Sequence, residues 1–268
     1  MVRSLLIRGM LVGLLAGLAA FGFARWKGEP SVDKAIAIES YLAAQEPAEA
    51  GGHSHDPVSR AVQGTAGLGT GAIIFGVAMG GLFALVFSVA YGRLGLRTAR
   101  GTAAALGVLA FVGVYVVPWL KYPPNPPAVG LEDTIGRRTG LYLTMILLSV
   151  AAMVVAAVVR RRLVPRFGAW NATLVVGAGY VVAMGICFAA LPGVNEVPQL
   201  AIPGVIDGVA DAVLTFPSSV VWDFRIASLG VQAVTWTVIA VAFGPLAERL
   251  LETDRVRLSS RSASPSST

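Results

Sequence analysis

Residues 65 to 91 hold 27 consecutive positions without a charged side chain. A bilayer core of about 30 Å needs roughly 20 apolar residues in helical form, so this run is long enough to span with tilt. Five more stretches have the same character: Ser4–Ala24, Thr102–Leu120, Thr139–Val159, Ala172–Leu191 and Ser228–Ala247. β-Barrel strands read instead as alternating segments of about ten residues. The expected fold class is therefore all-α, a polytopic membrane helix bundle with about six transmembrane helices and Pro-rich outer loops. Composition agrees: 55% of the 268 residues are hydrophobic and 13% are charged, with mean hydropathy +0.71. A soluble core of this length could not hide so much apolar surface.

Charge sets the orientation. Met1–Arg8, Gly92–Gly101, Arg160–Asn171 and Glu248–Thr268 together carry 13 Lys and Arg against 3 Asp and Glu. The intervening segments carry 8 basic and 12 acidic residues. The positive-inside rule puts both termini in the cytoplasm of a multi-pass plasma (inner) membrane protein. The net charge of +6 then reflects topology and points to no nucleic-acid partner. Arg3 and Arg8 before an apolar run also fit a signal peptide, which would leave five spans. The run is long for that, and Gly9, Gly13 and Gly17 repeat at a spacing that lets another helix approach closely. Gly76 and Gly80 continue a small-residue face in the second span. Residues 1–250 read as one helix-bundle domain, and the Ser-rich stretch 251–268 as a disordered cytoplasmic tail.

No phosphate-binding loop, H-E-x-x-H or G-x-S-x-G motif occurs, and no nucleophile–base pair is visible, so the chain is not expected to be an enzyme. Cys187 is alone in the fifth span and reads as a small apolar residue. No acid lies in mid-membrane, so a proton relay is not visible.

Three outer segments hold the polar candidates. Gly51–Asp56 contains both histidines; His53, His55 and Asp56 could meet one borderline metal ion, in a loop whose acids favour a divalent cation. A solvated polar loop is the other reading. Pro118–Pro127 has prolines at 123, 124, 126 and 127, which enforce a stiff extended strap. Trp119 and Tyr122 suit an interfacial belt, and Asn125 offers a carbonyl; a plain rigid connector is the alternative. Residues 191 to 225 are too apolar for an aqueous loop and too Pro-broken for a span. A segment folded back against the bundle would place Asn195 and Glu196 as oxygen ligands at a pore mouth, unless Glu196 is simply solvated. Arg225 is expected to pair with Asp223, Asp211 or Glu196.

Four blocks resemble the CbtA family of predicted cobalt transporter subunits. They are Ile7–Gly17; the His-bearing loop with Val62–Gly71; Pro118–Gly130 with 134–139 and Tyr142; and Leu191–Pro198 with Phe216-Pro217, Trp222, Phe224-Arg225 and 228–230. The outer loop has only His53 and His55, where the family is often richer in His and Glu. The resemblance implies a component of cobalt uptake linked to cobalamin supply, with Co2+ as cargo and no permanently bound cofactor. It also implies a small histidine-bearing CbtB-like membrane partner. On this reading His53, His55 and Asp56 capture the ion, while Asn195 and Glu196, with Asn125, exchange its water shell. Arg138 and Arg225 hold the outer loops by pairing with acids, alongside Trp222 and Asn125. The alternative is a non-conducting membrane scaffold that packs through its Gly-rich helices.

Overall fold

A computed structural model describes residues 1–43, 59–96, 98–127, 129, 134–194, 199–201, 205–206, 209–210, 213–215 and 217–262. Its helices are α1 (Val2–Phe23), α2 (Glu29–Ala43), α3 (Arg60–Val62), α4 (Leu68–Ala90), α5 (Ala99–Ala110), α6 (Val117–Lys121), α7 (Ile135–Ala190) and α8 (Ser218–Ser262). Single π-helical segments, Ala24–Gly28, Gln63–Gly67 and Phe111–Val116, join α1 to α2, α3 to α4 and α5 to α6. Among the described residues, five continuous helical elements are long and apolar enough to cross a membrane. Hydrocarbon offers the backbone no hydrogen bonds, so helix is what such sequences must adopt there.

The six apolar stretches fit on five elements because α7 holds two of them. A straight helix of its 56 residues would run about 84 Å at ~1.5 Å per residue, far more than one bilayer. It breaks at Gly168, with φ 75° and ψ 165°, a conformation open essentially to glycine alone. The two arms then pack on each other. Ser149 and Tyr180 share a hydroxyl hydrogen bond of 2.7 Å, and Arg160 Nε donates to Thr173 Oγ1 at 2.8 Å. Met145 and Met184 meet in one buried cluster with Val117. These pairs step outward on both sides of the turn, as in an antiparallel helical hairpin. Sequence analysis expects a loop over 160–171, yet every residue there but Gly168 continues the helix. Arginine is a good helix former, and a helix satisfies its own backbone on either side of the membrane boundary.

Two compact units are described separately. The first comprises Met1–Gly22, Ala66–Phe111 and Gln232–Thr268. In it, α1 and α4 run antiparallel with glycines face to face. A Cβ built on Gly80 would stand 2.7 Å from the Cα of Gly13, and one on Gly17 would stand 2.6 Å from the Ala72 carbonyl oxygen. The spacing of Gly9, Gly13 and Gly17 thus matches that of Gly80, Gly76 and Ala72 in reverse order. Without a hydrophobic force between helices in lipid, such close backbone packing supplies the association. Phe243 of α8 packs edge-on to Phe83 and Phe87, with ring centroids at 5.5 and 5.1 Å. Arg8 donates to the Leu246 carbonyl and Arg100 pairs with Glu248. The α8 helix runs on through Ser262, into the segment expected as a tail.

The second unit comprises Phe23–Thr65 and Val112–Val231. Here α2 extends the first span into the expected outer loop, and Arg60 pairs with Glu29 and, at 3.1 Å, with Asp33. Beyond α7 the chain forms two short antiparallel ribbons. The outer joins β1 (Gln199–Ala201) to β4 (Val213–Thr215), and the inner joins β2 (Val205–Ile206) to β3 (Val209–Ala210). They are the one departure from helix among the described elements.

Candidate functional site

The strap after α6 organises the site. Proline cannot continue a helix, because it lacks the N–H and its ring clashes with the preceding turn. The chain therefore leaves helix after Lys121 and runs irregularly through 123–126. Its polar side chains bind it to both long helices of the unit. Lys121 Nζ donates to the Phe188 carbonyl at 2.7 Å, in the last turn of α7, where carbonyls have no helical partner and a cation is favoured. Tyr122 Oη donates to the Pro192 carbonyl at 2.8 Å. Burial pushes the Tyr122 phenol above its ordinary range, partly offset by Arg137, so it stays a neutral donor. From α8, Arg225 Nη2 donates to Asn125 Oδ1 at 2.8 Å and its Nε to the Pro124 carbonyl at 3.3 Å.

Beneath the strap lies a cavity of about 650 Å³. Its described lining includes Lys121, Tyr122 and Asn125 from the strap, Arg138, Thr139 and Tyr142 from α7, Arg225 from α8, Tyr115 from α5–α6, and Val194. Tyr115 falls in the π-helical segment Phe111–Val116; such a segment adds a residue to one turn and is common at functional positions.

Three residues singled out from sequence thus meet at one place: Asn125, Arg138 and Arg225. Trp222, one turn before Arg225, is 58% exposed and does not line the cavity. Two details differ from expectation. The described partners of Arg225 are neutral oxygens of the strap, where an acid was expected. The Asn125 carbonyl is engaged by a guanidinium, which makes it an anchor and takes it from the pool of oxygens open to a cation. His53, His55, Asp56, Asn195 and Glu196 lie outside the described residues; Val194, just before the last two in sequence, lines the cavity. Among the described residues no group of three His, Cys, Asp or Glu side chains converges.

Sequence reasoning assigned no role to Lys121, Tyr115 or Thr139. Lys121 had a readable signal: a cation at a helix C-terminus directly before a proline run. Tyr115, in the middle of an apolar stretch, is a polar group that a span does not need. The charged side chains among the described lining residues are Lys121, Arg138 and Arg225.

The family model described as Probable cobalt transporter subunit (CbtA) matches residues 2–248. The chain belongs to the CbtA family. The match covers nearly the whole chain and takes in all or most of each apolar helical element. The family's description makes cobalt the cargo, and the word subunit implies a further component. No curated protein and no solved structure matches the chain.

Proposed function

We propose that this CbtA chain is the multi-span subunit of a cobalt uptake system in the plasma (inner) membrane, with both termini in the cytoplasm. The observation that carries the reading is the family match over residues 2–248. His53, His55 and Asp56 collect hydrated Co2+ on the outer side; imidazole and carboxylate suit a borderline divalent ion. Asn195 and Glu196, next in the chain after a residue of the cavity wall, exchange its water shell. Arg138 and Arg225 hold the outer loops beside them. The partner is a small histidine-bearing CbtB-like membrane subunit, and the cobalt feeds cobalamin supply. The chain carries out no catalysis.

A scaffold reading relies on the Gly-rich helices being open to another protein. Gly9, Gly13 and Gly17 instead face α4 of the same chain, which favours transport.

The test is uptake of radioactive cobalt by metal-starved cells that express the chain with and without the small partner, with nickel and zinc as competitors. The expected result is uptake above the vector control when both are present, poorly blocked by zinc. No uptake with both proteins inserted in the membrane would overturn the proposal.

A further inference from the structure

The bend of α7 gathers positive charge that its own arms do not answer. Four arginines stand at 160, 161, 162 and 166, and no Asp or Glu occurs anywhere from 134 to 195. The nearest acids in sequence therefore lie beyond the far ends of the two arms. Arg160 is committed across the bend, to Thr173. Arg161, Arg162 and Arg166 are exposed, and among the described residues none of the three has a hydrogen bond or an ion pair. Arg162 and Arg166 are four residues apart on one helix face, where like charges work against each other. That face lacks an anion.

The same element is the one most open to lipid. Only 11% of its most apolar stretch is buried within the protein, the least of the five elements long enough to span. Leu147, Val154, Val155, Val175 and Val182 all point outward. Acyl chains lie along such arms, so headgroups fall at the level where the apolar runs end, near Val159 and Ala172. That is the level of the arginines. Phe167 and Trp170, 54% and 75% exposed, flank them in the chain, and aromatic rings of this kind settle among headgroups. The membrane thus holds phosphate groups within reach of three guanidinium groups that have no other described partner.

We propose that the bend of α7 binds the headgroups of anionic phospholipids, with Arg161, Arg162 and Arg166 on the phosphates and Phe167 and Trp170 seated between headgroups. A guanidinium meets a phosphate through two parallel bonds, and a basic cluster at the end of a spanning helix draws anionic lipid. A zwitterionic headgroup carries an ammonium that offsets its phosphate, so the patch distinguishes the two kinds of lipid. The positive-inside rule concerns the direction in which a chain inserts; a bound headgroup is a lasting ligand of the folded protein. The inference needs α7 to cross the membrane as two arms and is independent of the cobalt reading.

The experiment uses the full chain purified in an uncharged detergent. Equilibrium binding is measured with radiolabelled dioctanoyl phosphatidylglycerol, dioctanoyl phosphatidylcholine and glycerol phosphate. The test variant is Arg162→Gln with Arg166→Gln; glutamine is a good helix former, and neither side chain has a described partner to lose. Lys27→Gln with Lys34→Gln removes the same net charge from exposed positions elsewhere. The expected result is saturable binding of phosphatidylglycerol, tighter than that of phosphatidylcholine or glycerol phosphate. The double arginine variant weakens it on the order of tenfold or more, since each basic residue near an anionic surface contributes roughly fivefold, and the lysine control leaves it unchanged. If the double variant does not fold, Arg161→Gln carries the test, with a loss of roughly fivefold. Equal binding of the two lipids overturns the proposal, as does a double arginine variant that binds like the wild type. An equal loss in the lysine control overturns it too, because net charge alone would then explain the binding. Glycerol phosphate bound as tightly as the phospholipid would also overturn it, in favour of a soluble anion.

Discussion

Along the α1–α4 seam, Gly13 and Gly80 let two backbones come into contact, and no side chain stands between them. Under the strap, Pro124, Asn125 and Arg225 do the reverse: rigid and long side chains keep a space open. The first region is sealed because small residues recur on one face of each helix. The second stays hollow because prolines stop the chain from closing down and Arg225 ties the strap in its extended path. One region holds the bundle together; the other has the polar groups through which a solute can be met.

The sharpest break of this comparison is Gly13→Leu. Its side chain has nowhere to go but into the α4 backbone, so we expect a loss on the order of 3 kcal/mol or more. It should be seen as aggregation in size-exclusion chromatography. Gly179→Leu serves as the counterpart, because beyond its own turn of helix backbone no atom lies within 4 Å of a Cβ there; it should elute like the wild type. Equal behaviour of the two would remove the seam from the account.

Arg225→Ala should cost less, about 1–3 kcal/mol, since it releases Pro124 and Asn125 without touching the seam. A fall in melting temperature, with a normal elution profile, checks it. Arg225→Lys should recover only part of that stability, because an ammonium lacks the fork that reaches both oxygens.

Smallest is Ser149→Ala. It removes the hydrogen bond to Tyr180 between the arms of α7, and interhelical bonds in membranes average about 0.6 kcal/mol. The change in melting temperature should be the least of the series.

Much of the fold could be read in the chain. Six apolar runs and the positions of the basic residues define a membrane bundle, and the four-residue spacing of Gly9, Gly13 and Gly17 marks a face that does pack on another helix. Local signals failed where helix continued past the apolar run. The arginines at 160–162 read as a loop, but charge decides where a helix leaves the membrane and does not decide where it stops; Gly168 does that. Likewise Glu29 to Ala43 is polar enough to read as loop, yet it continues α1 as helix. The site was harder. Arg225 and Asn125 are far apart in sequence, and nothing local says that an arginine will choose an amide over Asp223, two residues away. Lys121 and Arg138 meet only because the strap folds back over α7. The residues expected to touch metal, His53, His55, Asp56, Asn195 and Glu196, lie outside the described residues, so their role rests on chemistry and on the family.

The most direct test of the central claim is radioactive cobalt uptake by cells expressing Glu196→Gln at the same membrane abundance as wild type, with the small partner present. The account predicts that uptake falls to the vector background, because the amide keeps the size of the side chain and removes the charge that strips water from the ion. Uptake equal to that of the wild type would contradict it.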